Sequence, residues 1–178
     1  MANDKINFYY DPIRQGYDTA LWKTLSGVPA IIGSDLVFNT ASAIGYADIL
    51  KGNLTINMTI PAVPTAGDVR RFGFAQLALG AYVVFDITGN VFTAQTIDGK
   101  GNSASVVIPW RAAWTATPLT FDILWTGFSA EFRINNERLA FINDTSVSSD
   151  PLSVYINNAN ADSTAFHYME METTQFYI

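Results

Sequence analysis

Apolar and polar side chains alternate along many short segments of this chain, and that alternation restricts its fold more than any other feature. In LTINMTI, residues 54–60, the apolar side chains fall on one face and Thr or Asn on the other. Successive side chains of a β-strand point to opposite sides of its sheet, so the pattern is typical of a half-buried strand. Comparable segments, separated by turns rich in Gly or Pro, predict strands at 71–79, 82–88, 90–97, 103–110, 121–126, 129–135, 138–143, 152–157 and 166–178. Many short strands at this spacing predict an all-β sandwich or barrel.

One segment carries helical signals instead. Asp18 is a residue type that caps helix N-termini, Leu21 and Leu25 lie one helical turn apart, and Gly27 is suited to end a helix. We therefore expect at most one short helix, near 18–26.

The hairpin FDILWTGFSAEFRINNERLAFIND is predicted in more detail. Asn135 and Asn136 form a plausible two-residue turn, because Asn tolerates the positive φ that such hairpins require. That turn would place Phe132 opposite Leu139, and Ala130 opposite Phe141. The residues predicted as core in this hairpin are Phe121, Ile123, Trp125, Phe132 and Phe141.

Length and charge exclude several classes of protein. A chain of 178 residues is expected to be a single domain, 1–178, with a sizeable core. The net charge of -6 and the scattered Lys and Arg argue against a nucleic-acid partner. The sequence has no Cys, no signal-peptide pattern and no long apolar run, so we expect synthesis in the cytoplasm without membrane insertion.

The hairpin run FDILWTGFSAEFRINNERLAFIND also carries a family resemblance. It resembles a hairpin of the concanavalin A-like lectin/glucanase superfamily, which includes laminin G-like domains. RRFGFAQLALGAYVVFDITGNVFTAQT is similar to the middle of those jelly rolls, and FHYMEMETTQFYI lies where their closing strand lies. The resemblance covers about residues 50–178. It implies two stacked antiparallel sheets and no particular activity.

Glucanases of this superfamily carry an ExDxxE run, whose carboxylates act as nucleophile and acid. This chain has no such run, and MEME is its nearest approach. Glu170 and Glu172 would project from the same face of a strand, about 7 Å apart. We interpret them as a solvent-facing row with Met169 and Met171 packed behind, and His167, the one histidine, as structural. The sequence thus predicts no enzyme.

A candidate glycan site lies in IPWRAAWTATP. Trp110 and Trp114 flank Arg111 there, and sugar sites commonly place an aromatic ring beside a polar or charged group. Asp98 and Asn102 are included as further candidate ligand-binding residues. The alternative is that both tryptophans pack in the core.

A candidate metal site lies in NNANAD. Asn158, Asn160 and Asp162 offer oxygen ligands at alternate positions, as at the start of a calcium loop. Ser163 and Met169 stand where such a loop has Gly and Glu. Calcium is therefore the one cofactor that these residues suggest, and the alternative is that the chain binds no cofactor.

Two classes of function are left open by these residues. The first is a non-catalytic structural or interaction module, such as a capsid-decorating or tail-associated virion protein that self-assembles or binds protein partners. It is favoured by the weakly charged all-β surface and the absence of a catalytic set. The alternative is a carbohydrate-binding module or lectin with a glycan ligand.

Overall fold

The computed structural model describes residues 6–45, 49–160 and 163–173, and almost all of their regular structure is β-strand. The strands are β1 Ile6–Tyr10, β2 Trp22–Ser26, β3 Ala30–Ile32, β4 Asp35–Phe38, β5 Ala41–Gly45, β6 Gly52–Thr59, β7 Val69–Gln76, β8 Ala81–Thr88, β9 Val91–Ile97, β10 Ser103–Val107, β11 Pro118–Trp125, β12 Ala130–Ile134, β13 Glu137–Ile142, β14 Ser153–Asn158 and β15 Thr164–Thr173. Among the described residues, helix is confined to α1, Pro12–Gln15, and a 3-10 turn at Ala112–Trp114. None of the described helices is long and apolar enough to span a membrane.

The strands form two antiparallel sheets that stack as a sandwich. Sheet A has eight strands, with the order β13-β12-β11-β6-β15-β4-β3 and β1 paired to β15. Sheet B has seven, with the order β10-β9-β8-β7-β14-β5-β2. In each sheet a run of consecutive strands, β11 to β13 or β7 to β10, joins strands distant in sequence, as expected of a jelly roll. The predicted all-β, two-sheet sandwich is confirmed.

Aromatic rings join the two sheets at the centre of the core. Phe85 of β8 stacks on Phe72 of β7, with 5.5 Å between ring centroids. From sheet A, Phe121 and Phe132 meet the Phe85 ring edge-on at 5.3 and 5.2 Å. Edge-to-face contacts of this kind add about 0.5–1.5 kcal/mol each beyond the burial of apolar area. The sandwich is therefore held by interlocking rings as well as by aliphatic packing.

The hairpin of β12 and β13 confirms the predicted turn but not the predicted register. Asn135 and Asn136 have φ values of 50° and 66°, as a two-residue hairpin turn requires. Beyond the turn the register shifts by one residue at a β-bulge, so Phe132 pairs with Ala140 rather than Leu139. The shift reverses the faces of β13, and Phe141 is 51% exposed. The prediction that Phe141 lies in the core is wrong for this reason.

The predicted helix at 18–26 is also wrong, because this segment is a turn followed by β2. The Asp18 side chain does accept the backbone N–H of Ala20, at 2.8 Å, but it caps a single turn. From Trp22 onward the backbone pairs with β5. Trp22 is 3% exposed, whereas Leu25 is 38% exposed. Strand pairing and burial of Trp22 thus outweigh the local helical preference.

Gly73 permits the close packing of β7 against its neighbours. Its φ of +146° is in a region that side chains rarely adopt, and an added Cβ would lie 2.4 Å from the carbonyl oxygen of Val83. The same Cβ would lie 2.8 Å from Cδ1 of Ile123, which belongs to the other sheet. Only glycine fits here without moving backbone.

We predict that Gly73→Ala lowers the free energy of unfolding by about 2–4 kcal/mol, because backbone strain and a steric clash add together. Gly67→Ala is the matched control, since a Cβ there would meet nothing within 4 Å. Urea unfolding of both variants measures the difference. Equal stability of the two variants would contradict the assigned role of Gly73.

Candidate functional site

The outer face of sheet B, which points away from the core, carries shielded side chains at its centre. Ala75, Val84 and Tyr155 are only 0%, 0% and 8% exposed, yet none of them belongs to the cluster packed between the sheets. Their strand neighbours, such as Phe85 beside Val84, fill that cluster, so these three point outward. Neighbouring side chains therefore shield them from solvent. We call this part of the outer face the sheet B floor, formed by Arg71, Ala75, Tyr82, Val84, Asp86 and Tyr155.

Strand register brings charged and aromatic groups together on the sheet B floor. Arg71 of β7 lies directly opposite Asp86 of β8, and its Nε donates to Asp86 Oδ1 at 2.6 Å. The Arg71 guanidinium also lies over the ring of Tyr82, 5.0 Å from its centroid. The ring of Tyr82 is 6.3 Å from that of Tyr155 on β14. The result is a continuous row of two rings, a cation and a carboxylate.

The partners of Asp86 fix its carboxylate in place. Besides the ion pair with Arg71, the hydroxyl of Thr88 donates to Asp86 Oδ2 at 2.9 Å. The Asp86 side chain is 9% exposed and that of Arg71 is 27% exposed. Among the described strand residues of sheet B, Asp86 is the one carboxylate. It is a single acidic group, held by two hydrogen-bond donors and slightly exposed to solvent.

Burial and the ion pair shift the titration of this cluster. Burial acts to lower the pKa of the Arg71 guanidinium, but the hydrogen bond and charge of Asp86 outweigh it and the pKa is raised. Burial raises the pKa of the Tyr155 phenol above its ordinary value, and the nearby Tyr82 adds to the shift. Arg71 is thus charged and Tyr155 neutral at physiological pH. The sheet B floor thus offers the neutral phenol of Tyr155 beside a fixed ion pair.

The tryptophans of the predicted glycan site pack against the core. Trp114 is 7% exposed and belongs to the core cluster, and Trp110 packs edge-on against it at 5.7 Å. Arg111 lies over the Trp114 ring and forms two 2.6 Å hydrogen bonds with Glu137 at the surface. Those bonds raise the pKa of Arg111 and lower that of Glu137. A role of Trp110, Arg111 and Trp114 in ligand binding stays a prediction.

Asp98 and Asn102 lie at the other end of the β9–β10 hairpin. Asp98 Oδ1 accepts the backbone N–H groups of Lys100 and Asn102, and Oδ2 accepts the Asn102 amide at 2.7 Å. These hydrogen bonds, led by that from the Asn102 side chain, lower the pKa of Asp98. Strand geometry puts this turn about 20 Å from Trp110. The structure does not bring the two halves of the predicted site together.

The predicted calcium ligands are occupied by backbone groups. Asn158 Oδ1 accepts the N–H of Asn160, and Asn160 Oδ1 accepts the N–H of Val69 at 2.7 Å. Asp162 lies outside the described residues. Within those residues no three His, Asp or Glu side chains are placed to hold a metal ion. Calcium binding stays a prediction.

The remaining candidates lie on sheet A. Glu170 is exposed and Glu172 half-buried on β15, with Met169 and Met171 buried behind them, as predicted. His167 Nδ1 is 2.7 Å from Asp35 Oδ1, and Nε2 is 2.8 Å from the Thr59 hydroxyl. These bonds tie β15 to β4 and β6.

Sequence reasoning missed the sheet B floor, although one signal for it is visible in YVVFDIT. Alternation there puts Tyr82, Val84 and Asp86 on one side and the core residues on the other. Their meeting with Arg71 and Tyr155 depends on pairings of β8 with β7 and of β7 with β14. That register is not readable from the segments taken singly.

No protein-family model and no curated protein sequence matches the chain. Several solved structures do match it in fold. A prokaryotic β-1,3-1,4-glucanase (lichenase) from a mouse hindgut metagenome matches with a TM-score of 0.74 and 10% identity, over 95% of this chain and 99% of that one. The Bacillus licheniformis β-glucanase matches with a TM-score of 0.69 and 12% identity, over 95% and 98%. The laminarinase catalytic domain of Thermotoga maritima matches with a TM-score of 0.71 and 11% identity, over 94% and 97%.

At these identities the matches show the fold, which is the concanavalin A-like jelly roll that the sequence resembles. They contradict two predictions made from the sequence. The sequence predicts a non-catalytic virion module and no enzymatic activity. The matched structures are instead two glucanases and a laminarinase, and the match covers almost their whole length.

We predict that Asp86→Asn lowers the free energy of unfolding by about 2 kcal/mol, because the mostly buried Arg71 loses its charged acceptor. Glu137→Gln is the matched control. It breaks an ion pair at two exposed side chains, so its stability should be almost unchanged. Chemical unfolding at neutral pH measures both variants, and a loss for Glu137→Gln as large as for Asp86→Asn would contradict this assignment.

Proposed function

We propose that this chain is a carbohydrate-active protein that binds a glycan on the sheet B floor. The observation that carries the proposal is the row of Tyr155, Tyr82, Arg71 and Asp86 on the outer face of a sheet. The carbohydrate-binding alternative from the sequence is thereby favoured over the virion module.

The groups on the sheet B floor match the chemistry of a sugar ring. A pyranose presents an apolar face that packs on aromatic rings and a rim of hydroxyls that need donors and acceptors. Tyr82 and Tyr155 supply the rings, while Arg71 supplies donors and Asp86 acceptors. Gln95, directly opposite Val84 in the register, has a buried Oε1 without a hydrogen-bond partner. A sugar hydroxyl would give this oxygen a donor after a small rotation of the amide.

β-Glucans are the first ligands to test. The matched structures include a β-1,3-1,4-glucanase, a laminarinase and a glycoside hydrolase family 16 endo-glucanase. Another is a Crh5 transglycosylase in complex with NAG, so N-acetylglucosamine oligosaccharides belong in the same panel. These names support the choice of ligands, and the floor's neutral rings and single ion pair suit an uncharged glycan.

Cleavage or transfer of a glycosidic bond is the second candidate function. It is favoured by the position of Asp86, a carboxylate fixed by Arg71 and Thr88 within the same row of rings. Glycosidases use a carboxyl group to protonate the leaving oxygen, and most use a second carboxylate as base or nucleophile. Asp86 would take the second role, because both of its oxygens accept hydrogen bonds and it would lie against a sugar packed on Tyr82; a water molecule would protonate the leaving oxygen.

Binding is tested by affinity electrophoresis in gels that contain mixed-linkage β-glucan or laminarin. We predict that Tyr82→Ala weakens binding about three- to tenfold, the loss expected from one stacking ring. Tyr9→Ala is the matched control, since Tyr9 is 53% exposed and lies on sheet A. Equal retardation of the two variants would contradict binding on the sheet B floor. Thermal unfolding confirms that each variant is folded.

Catalysis is tested separately by release of reducing ends and by chain-length analysis of oligosaccharide products. If Asp86 is the base or nucleophile, Asp86→Asn lowers the turnover rate at saturating glycan about a hundredfold or more. The assay is run well below the thermal midpoint of the variant. A wild-type protein that binds β-glucan but neither shortens nor lengthens it would remove this second candidate and leave the first intact.

A further inference from the structure

A second hollow lies on the opposite side of the sandwich, on the outer face of sheet A. It has a volume of about 460 Å³ and is lined by Lys51, Asn53, Leu124 and Phe128, among others. An adjoining hollow of about 240 Å³ shares Asn53 and Leu124 and continues toward Asn136. We call the two adjoining hollows together the sheet A groove. Its larger part is within the size range of small-ligand sites.

Register explains why the sheet A groove has a continuous floor. Asn53 of β6 lies between Glu172 of β15 and Leu124 of β11, and Leu124 in turn lies opposite Glu131 of β12. These residues point away from the core and form a row across four strands. Leu124 is 40% exposed, so the middle of the row is apolar and open to solvent. Polar groups lie on both sides of it.

Phe128 forms a wall at one end of the sheet A groove. Its side chain is 77% exposed, although the turn that carries it is well ordered by hydrogen bonds. Thr126 Oγ1 accepts the N–H groups of Phe128 and Ser129 at 3.3 and 3.0 Å, and Thr126 N–H donates to the Ser129 carbonyl. A phenyl ring is thus presented to solvent on a fixed support. Such a ring loses little conformational freedom when a flat ligand packs on it.

The lining of the groove selects for an uncharged ligand with many hydroxyls. The two hollows are lined by two cations, Lys51 and Arg133, and by three anions, so the charges nearly cancel and an anionic ligand gains no net attraction. Asn53 is exposed, and its amide both donates and accepts. Phe128 and Leu124 offer the apolar surface on which one face of a sugar ring packs.

We infer that the sheet A groove is a second glycan-binding site that uses Phe128 as its stacking platform. It would take the same neutral class of ligand as the sheet B floor but uses none of its residues. The two sites face opposite sides of a sandwich whose sheets lie about 10 Å apart, so neither blocks the other. One long polysaccharide, or two chains, would then be held at once, with affinity raised by the multivalent attachment.

The test uses Phe128→Ala, with Phe141→Ala as the matched control. Phe141 is also an exposed phenylalanine on sheet A, 51% exposed, and lines neither hollow. Both substitutions are made in the wild-type chain and in the Tyr82→Ala chain, where the sheet B floor is weakened. Retardation is measured in mixed-linkage β-glucan gels, and calorimetry with a cello-oligosaccharide gives the number of sites.

We expect two sites per chain in the wild-type protein, one of which is weakened in Phe128→Ala. In both backgrounds Phe128→Ala lowers the affinity for the gel about threefold or more, whereas Phe141→Ala leaves it unchanged. The double variant Tyr82→Ala/Phe128→Ala therefore binds more weakly than either single variant.

Other outcomes overturn the inference and separate it from the proposed function. If Phe128→Ala behaves like Phe141→Ala in both backgrounds, the sheet A groove binds no glycan, and the Tyr82 effect still supports the sheet B floor. If Phe128→Ala loses binding and Tyr82→Ala does not, the groove is the glycan site and the floor is not. If the wild-type protein binds no member of the panel, both are wrong.

Discussion

Phe85 of sheet B meets Phe121 and Phe132 of sheet A edge-on at the centre of the sandwich, and this contact holds the two sheets in place. Because side chains alternate along a strand, burying Phe85 fixes the direction of its neighbours on β8. Val84 and Asp86 must then point away from the core. The aromatic contact inside the protein therefore determines which groups form the sheet B floor outside it.

Much of the fold was predictable from the sequence, because its sheets are built from segments with strong two-residue alternation. The segment 54–60 lies within β6 with its apolar side chains buried, and the Asn135-Asn136 turn was found from its chemistry alone. Two features were not predictable. The bulge that turns Phe141 outward depends on packing of the whole sheet, and β2 replaces the expected helix because β5 offers it a partner.

The candidate site was harder to predict than the fold. The sequence predicts a glycan site at Trp110 and Trp114, in a stretch bounded by proline, yet their rings pack against the core. No sequence pattern identifies the pair of Arg71 and Asp86, because they are 15 residues apart and meet only through strand register. A site can be recognised from residue types when its residues are close in sequence. A site on the face of a sheet is assembled by the pairing of strands that are distant in sequence. Cytoplasmic synthesis, a single domain and self-association stay predictions from the sequence.

The central claim is that the sheet B floor binds a neutral glycan, and backbone amide chemical shifts of the isotope-labelled protein test it most directly. The protein is titrated with soluble oligosaccharides of mixed-linkage β-glucan until the shifts saturate. Binding on the floor predicts saturable shifts on β7, β8 and β14, centred on Arg71, Tyr82 and Tyr155. Saturation that leaves these three strands unmoved, or the absence of any saturable shift, would contradict the claim.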